Sequence, residues 1–254
     1  MTATLDRVLR EREHFEALVS STGESWWGHT TPAGSRRLQR RAAIVARRLA
    51  GLASPELLEI GCGTGPFTVE LLAAMPAAQL TAGDLSPASL ERAAAKCGHA
   101  GRIRFEVQDI TRLDHPDNTF DAVVGNAILH HVDLAPALGE ICRVLRPGGL
   151  MLFFEPNLAN PQIAFDIQLR RRLSPGTTEY SEDERPFLRW PLRRAVLRAG
   201  FSRVIVEPID FLHPLVPGSL IGVIDTIGRM AERIPILREI SGSLSICAVK
   251  PSDK

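Results

Sequence analysis

The chain has almost no net charge: 30 Lys and Arg stand against 29 Asp and Glu over 254 residues. That balance removes the strongest sequence argument for a nucleic-acid partner, and none is expected. Cysteines are few, and Cys62, Cys97, Cys142 and Cys247 include no C-x-x-C pair. Their wide spacing suggests neither a disulfide framework nor a zinc site, so no metal is expected, and it fits a reducing, cytoplasmic compartment. The stretch around Asp6–Glu13 has no apolar signal core. The most apolar late stretch, 215–237, is broken by Asp225, Arg229, Glu232, Arg233 and Pro235. A bilayer crossing needs about 20 apolar residues, so integral membrane association is not expected. There is no internal repeat and no low-complexity tract.

What is present is a core-forming composition, 44% hydrophobic, enough for one α/β domain with an appended lid. High Ala and Arg content fits a GC-rich bacterial genome. Residues 4–20 read as a short amphipathic helix and 21–35 as a glycine-rich loop. Leu38, Ala42, Val45 and Leu49 share one helical face over 35–51, with arginines on the other. The plain reading of those arginines is a solvated helix face. We therefore assign 1–51 to an N-terminal helical cap or lid and 52–254 to the main domain.

From residue 56 the pattern alternates. Strands are expected at 56–60, 79–83, 103–107, 120–126 and 149–155, with helices at 66–75, 87–97 and 134–145. That alternation specifies a mostly parallel, doubly wound sheet with helices on both faces. Further on, helices are expected at 160–173 and 188–199 around a polar loop, and strands at 201–207 and 243–249. The piece between those strands, 208–242, holds Pro208, Pro214, Pro217 and Pro235. It reads as a loop plus one amphipathic helix, and an insertion this long is more often functional than idle.

The run Leu57-Leu58-Glu59-Ile60-Gly61-Cys62-Gly63-Thr64-Gly65 ends the first strand in a glycine turn. Glycines permit positive φ and let a ligand lie on bare backbone, and the following helix adds free N–H groups. Asp84 ends the next strand, 19 residues after Gly65, where a carboxylate can hold both hydroxyls of a ribose. Asp109 ends the third strand, placed to accept an adenine amine while Ile110 packs on the ring. Asn126 ends the fourth. The spacing is G-x-G-x-G with Pro66 following, not the dinucleotide fingerprint G-x-G-x-x-G/A. Glu59 beside the loop repels a pyrophosphate and attracts an ammonium. Both facts speak against a nicotinamide oxidoreductase.

These residues, with Gly83-Asp84-Leu85-Ser86-Pro87, Gln108-Asp109-Ile110, Phe120-Asp121-Ala122-Val123-Val124 and Leu145-Arg146-Pro147-Gly148-Gly149, resemble the ordered motifs of class I S-adenosylmethionine-dependent methyltransferases. The similarity, over roughly 55–155, is to the ubiquinone-biosynthesis-like, small-molecule branch. It implies a Rossmann-like, seven-stranded sheet whose last strand runs antiparallel. It implies S-adenosylmethionine as cofactor, with S-adenosylhomocysteine as product. The cofactor would be held by Glu59, Gly61, Cys62, Gly63, Gly65, Asp84, Leu85, Asp109, Ile110 and Asn126.

Methyl transfer from a sulfonium needs alignment more than activation. A general base can assist with an acidic acceptor, and His131 or His130 is placed for that role. Two adjacent side chains on an extended segment point opposite ways, so at most one should face the site. Trp26 and Trp27 are lid candidates or anchors of the N-terminal helix. Arg36 is a candidate partner for the cofactor carboxylate or a solvated arginine. Asn157, Tyr180 and His213 are candidates for the substrate pocket, to which 156–242 contributes. The apolar segment from Phe211 to Ile240 suggests a partly apolar acceptor such as an isoprenoid, quinone or polyketide; a polar sugar or amine is the other small-molecule reading. Two further alternatives are an RNA or protein methyltransferase, favoured by the arginines at 36–48 and 170–194, and a non-catalytic cofactor-binding module. The N/D-P-P-Y/F tetrapeptide of nucleic-acid amino-methylating enzymes is absent.

Overall fold

The computed structural model describes residues 28–98, 101–166 and 185–252. Trp26, Trp27, Tyr180, the expected helix at 4–20 and most of the one at 160–173 lie outside the described residues; 161–166 are helical.

The first described helix, α1 (Pro32–Arg48), starts three residues before the expected position. Pro32 sits at its first turn, and the Thr31 hydroxyl caps it by accepting the Gly34 amide at 3.0 Å. The element order then follows the alternation: β1 (Glu56–Ile60), α2 (Pro66–Ala74), β2 (Gln79–Asp84), α3 (Pro87–Cys97), β3 (Ile103–Val107), β4 (Phe120–Asn126), α4 (Leu134–Val144) and β5 (Leu145–Pro156). The second half adds α5 (Arg189–Arg198), β6 (Ser202–Ile209), α6 (Ile221–Ala231) and β7 (Ser243–Val249).

The seven strands form one sheet in the order β3-β2-β1-β4-β5-β7-β6. β1 to β5 pair in parallel, and β7 runs antiparallel to both β5 and β6. This is the Rossmann-like, mostly parallel doubly wound architecture. Alternation along the strands divides the core between two faces. Leu58, Val123, Met151 and Phe153 face α4 and α5, packing with Leu138, Ile141, Leu192 and Val196. Leu57, Val124, Leu152 and Phe154 face the other way, with Phe67 and Leu71 of α2 and Leu38, Ala42 and Val45 of α1. Thus α1 shares a core with the sheet. β1 is buried on both faces, the mark of a central parallel strand.

Strand order reverses between β1 and β4, so their carboxyl ends flank a crevice. That is where open α/β sheets bind ligands. The 208–242 insertion holds α6 as expected, plus a 3-10 turn (Gly218–Leu220) and a one-turn helix (Pro235–Arg238). No helix among the described residues is long and apolar enough to cross a membrane.

Candidate active site

The register fixes how the strand ends meet. Ile60 pairs with Gly83 on one side and Gly125 on the other, so Gly61, Asp84 and Asn126 follow at one level. The Gly61 and Cys62 amides both donate to the Gly83 carbonyl, at 2.8 and 3.1 Å, bending the chain out of β1. Gly61 and Gly63 have φ of +67° and +54°. A Cβ at Gly61 would lie 2.6 Å from the Ile128 side chain, whereas one at Gly63 would meet nothing within 4 Å. The loop is therefore packed at its start and open at its middle. Gly65, with φ +85°, caps α2, and Pro66 occupies the first helical turn.

Asp84 closes this loop. Its Oδ2 accepts the Gly63 amide at 2.8 Å and its Oδ1 the Ser86 amide at 2.9 Å. Each oxygen keeps a second lone pair for a ligand. Burial pushes the Asp84 carboxyl above its usual value, against the pull of those amides. Glu59 is more extreme. It is 1% exposed, and its Oε2 has no hydrogen-bond partner. Burial pushes its carboxyl up to about 8, the Thr68 hydroxyl pulls against that rise, and the negative charge of Asp84 adds to it. A buried carboxylate oxygen without a partner costs free energy unless a donor arrives. Cys62 packs its side chain with Ala82, Leu90 and Ala93, and burial raises its thiol far above the usual range. It faces the site through its backbone alone.

Asp109 accepts the Thr111 amide at 2.8 Å and its hydroxyl at 2.7 Å, through Oδ1. Ile110 is 3% exposed and belongs to the core beneath β4. Asn126 accepts a hydrogen bond from Nη1 of Arg41, which reaches over from α1.

His130 and His131 sit on a 3-10 turn, Leu129–His131, not on extended chain. This corrects the expectation that their rings diverge: the ring centroids are 4.0 Å apart. The turn is held by Glu155, at the end of β5. Its Oε1 accepts the Ile128 and Leu129 amides at 3.0 and 2.8 Å, and its Oε2 lies 2.7 Å from His130 Nδ1. Glu155 thus fixes both the turn and the His130 ring.

Comparison with known proteins bears on this arrangement. Residues 57–149 match the family model described as methyltransferase domain. Residues 57–149 thus carry the pattern of a methyltransferase domain. It is 37% identical over 123 residues to the malonyl-[acyl-carrier protein] O-methyltransferase of Paenibacillus sp. (strain JDR-2), a match covering 45% of each chain. It is 38% identical over 118 residues to the demethylmenaquinone methyltransferase of Deinococcus radiodurans, covering 45% of this chain and 48% of that one. The matches thus span about half the length of these curated relatives. The fold is that of the Thermotoga maritima crystal structure described as a SAM-dependent methyltransferase, possible histamine N-methyltransferase. The TM-score is 0.65 at 19% identity, over 94% of this chain and 99% of that one.

The described residues expected to line the substrate pocket are engaged within the fold. Asn157 Nδ2 donates to the Glu239 and Ser241 carbonyls, both at 2.8 Å, and its Oδ1 accepts the Ala159 amide at 3.1 Å. It clamps the end of β5 to the 239–242 turn, and its hydrogen-bonding groups are spent on backbone. His213 sits between Gln162 Nε2 at 2.9 Å and the Leu215 amide at 3.2 Å. Arg36 turns to Asp225, 3.1 Å away.

The arginine face of α1 is the largest departure from expectation. Arg41 is 4% exposed and bonds Asp210 Oδ2 at 2.7 Å and Ser243 at 2.7 Å. Arg40 shares Asp210 and pairs with Glu232, and Arg37 lies 3.7 Å from Asp210. Burial and the neighbouring Arg41 push the Arg37 guanidinium down to about 10, so it stays charged near neutrality. His29 is driven the other way from charge: burial first, then Arg41 and Arg37, lower it to about 3. In sequence, the inward-paired arginines at 37, 40 and 41 look the same as the exposed ones at 47 and 48. Glu155 left one trace, a carboxylate closing the apolar run Met151-Leu152-Phe153-Phe154. Among the described residues no cluster of His, Cys, Asp or Glu could hold a metal ion.

Proposed function

We propose that the domain binds S-adenosylmethionine and transfers its methyl group to an O, C or N atom of a small, partly apolar acceptor. The observation that carries this is the buried Glu59 carboxyl, with no well-aligned donor on Oε2, beside the open Gly63 backbone and the Asp84 carboxylate. The residues fit the cofactor's chemistry. Glu59 would attract its α-ammonium, the glycine loop would lie against the methionine chain, and Asp84 would hold the ribose. Asp109 would take the adenine amine. Asn126 and Arg41 form the wall at the β4 end.

When bound, the cofactor supplies a sulfonium-activated methyl group. What the protein adds is alignment, exclusion of water and, for an acidic acceptor, a proton sink. Glu155 supports the last role: a hydrogen bond from His130 Nδ1–H to its carboxylate leaves Nε2 as the acceptor nitrogen. His131, stacked beside it, shapes the same wall. The named activities of the relatives, on quinone precursors and an acyl-carrier-protein ester, support a small acceptor. A location in the cytoplasm belongs to the same proposal. The inward pairing of Arg36, Arg37, Arg40 and Arg41 weakens the RNA reading, since those charges are engaged within the fold.

Calorimetry with S-adenosylhomocysteine tests the cofactor. Micromolar or tighter binding is expected, with Asp84→Ala weakening it by roughly 100-fold, because a site built on buried acceptors is left without one. No binding by the wild type, or unchanged affinity in the variant, overturns the assignment. Transfer of a labelled methyl group to quinone precursors, polyketides and small amines separates an enzyme from a binding module.

A further inference from the structure

Helix α6 is built inside out. Asp225 and Gly228 are its buried positions, and its carboxylate faces the fold: Asp225 meets Arg36 and Arg229, and Glu232, just past the helix end, meets Arg40. Its apolar residues point away. Val223, Ile227, Met230 and, beyond the helix, Ile234 recur at helical spacing on the opposite side, about 60% exposed at the first three. Leu220 and Leu215 before them and Ile236 after them, the last 83% exposed, are also turned to solvent. A single exposed apolar residue needs no account, but a contiguous ridge of this size marks a contact surface.

The flank of the ridge carries charge. A groove beside α6 is lined by Arg36, Arg229 and Arg233, over a floor that includes Gly222 and Thr226. Asp225 offsets part of that charge, since Arg36 and Arg229 share it. Arg233 meets no acid among the described residues. The surface is thus an apolar ridge with a cationic border, the composition of a helix that lies in a membrane interface. A second copy suits it poorly: a twofold contact would set the same arginines against each other. We propose that the 215–240 insertion docks on an anionic lipid surface, with Val223, Ile227, Met230 and Ile236 in the acyl boundary. Headgroup phosphates then occupy the Arg229–Arg233 groove. This is peripheral attachment, compatible with the absence of a spanning helix among the described residues.

The test is co-sedimentation of the full chain with vesicles of phosphatidylcholine alone or with roughly a third phosphatidylglycerol. Binding at least tenfold tighter to the anionic vesicles is expected, falling as salt is raised from about 50 to 500 mM. Ile227→Glu should abolish it. Arg233→Glu should weaken it by fivefold or more, since each basic residue near the surface contributes about that factor and reversal removes more. Both positions are exposed, and a thermal melt shows that each variant stays folded. The proposal is overturned if wild-type protein stays in the supernatant with both vesicles. It is also overturned if either variant binds like wild type, or if Ile227→Glu instead dissolves a dimer that ignores lipid.

Discussion

Nδ1 of His130 lies 2.7 Å from Oε2 of Glu155, and the other oxygen of that carboxylate holds the backbone of the turn carrying His130. One buried acid therefore sets both the position and the tautomer of the ring. Glu155→Gln separates the two roles. The amide carbonyl can keep the Ile128 and Leu129 N–H groups, while its NH2 faces Nδ1 and forces the ring proton onto Nε2. The variant should fold and bind S-adenosylhomocysteine within about twofold of wild type, yet lose methyl transfer to an acidic acceptor by 10²-fold or more. Nitrogen-15 spectra of the histidine rings report the tautomer without any acceptor. An unchanged His130 tautomer removes the positioning role.

That pair also shows where a sequence stops being informative. The glycine turn, Asp84 and Asp109 are legible because they lie within a few residues of strand ends, and strand ends are marked by local pattern. The sheet follows from the same alternation. The Glu155 contact joins the ends of two strands 25 positions apart, and the Arg41–Asp210 contact spans 169. Nothing local announces either. The error over α1 has the same origin: arginine on a helix face reads as solvated unless the partner across the fold is known. Likewise, the apolar spacing in α6 is correct as a helix signal but carries no information about which side the fold will cover.

The two ends of the glycine loop should respond differently to one added methyl. Gly61→Ala puts a Cβ against Ile128 at a positive φ, so both strain and overlap oppose it. A loss of about 2–4 kcal/mol in folding stability is expected. Gly63→Ala meets no protein atom and should cost only about 1 kcal/mol for the left-handed backbone. Its methyl group, however, projects into the space assigned to the cofactor, so S-adenosylhomocysteine affinity should fall tenfold or more. Thermal unfolding and calorimetry on both variants give the comparison. Full affinity in folded Gly63→Ala would remove the loop from the binding surface.

Glu59 makes a pH prediction with a definite sign. Its carboxyl is raised to about 8 in the fold, above the value of about 4.5 expected of an unfolded chain. The folded state thus favours the protonated form. The stabilisation is fully present below about 4.5 and is lost as pH rises through 8. Glu59→Gln should therefore gain stability relative to wild type as pH increases across that window, and the difference should vanish in acid. Cofactor binding runs the opposite way, because an ammonium favours the ionised carboxylate. Wild-type affinity should rise with pH up to about 8, with net proton release at neutral pH. Calorimetry in buffers of different ionisation enthalpy measures that proton, and Glu59→Gln should release none.

Asp210 and Asp225 both hold arginines of α1, but their burial predicts unequal consequences. Arg36 and Arg229, the partners of Asp225, are nearly half exposed, so water screens them. Asp225→Asn should cost no more than about 1 kcal/mol. Asp210 is buried against Arg41, itself almost fully buried, with Arg40 and Arg37 alongside. Burial alone would raise its carboxyl; the guanidinium groups outweigh that and hold it below the usual value. Asn at 210 tolerates the φ of +68° found there, so Asp210→Asn removes charge without adding backbone strain. It leaves buried guanidinium groups without their counter-charge, and a loss of about 3–5 kcal/mol is expected. A lowered carboxyl stabilises the fold above its unfolded value, near 3.8, and loses that contribution as pH falls through the folded one. The gap between wild type and Asp210→Asn in urea unfolding should thus be widest at neutral pH and close in strong acid. An equal, small cost for both substitutions would mean that the α1 arginines are solvated in solution.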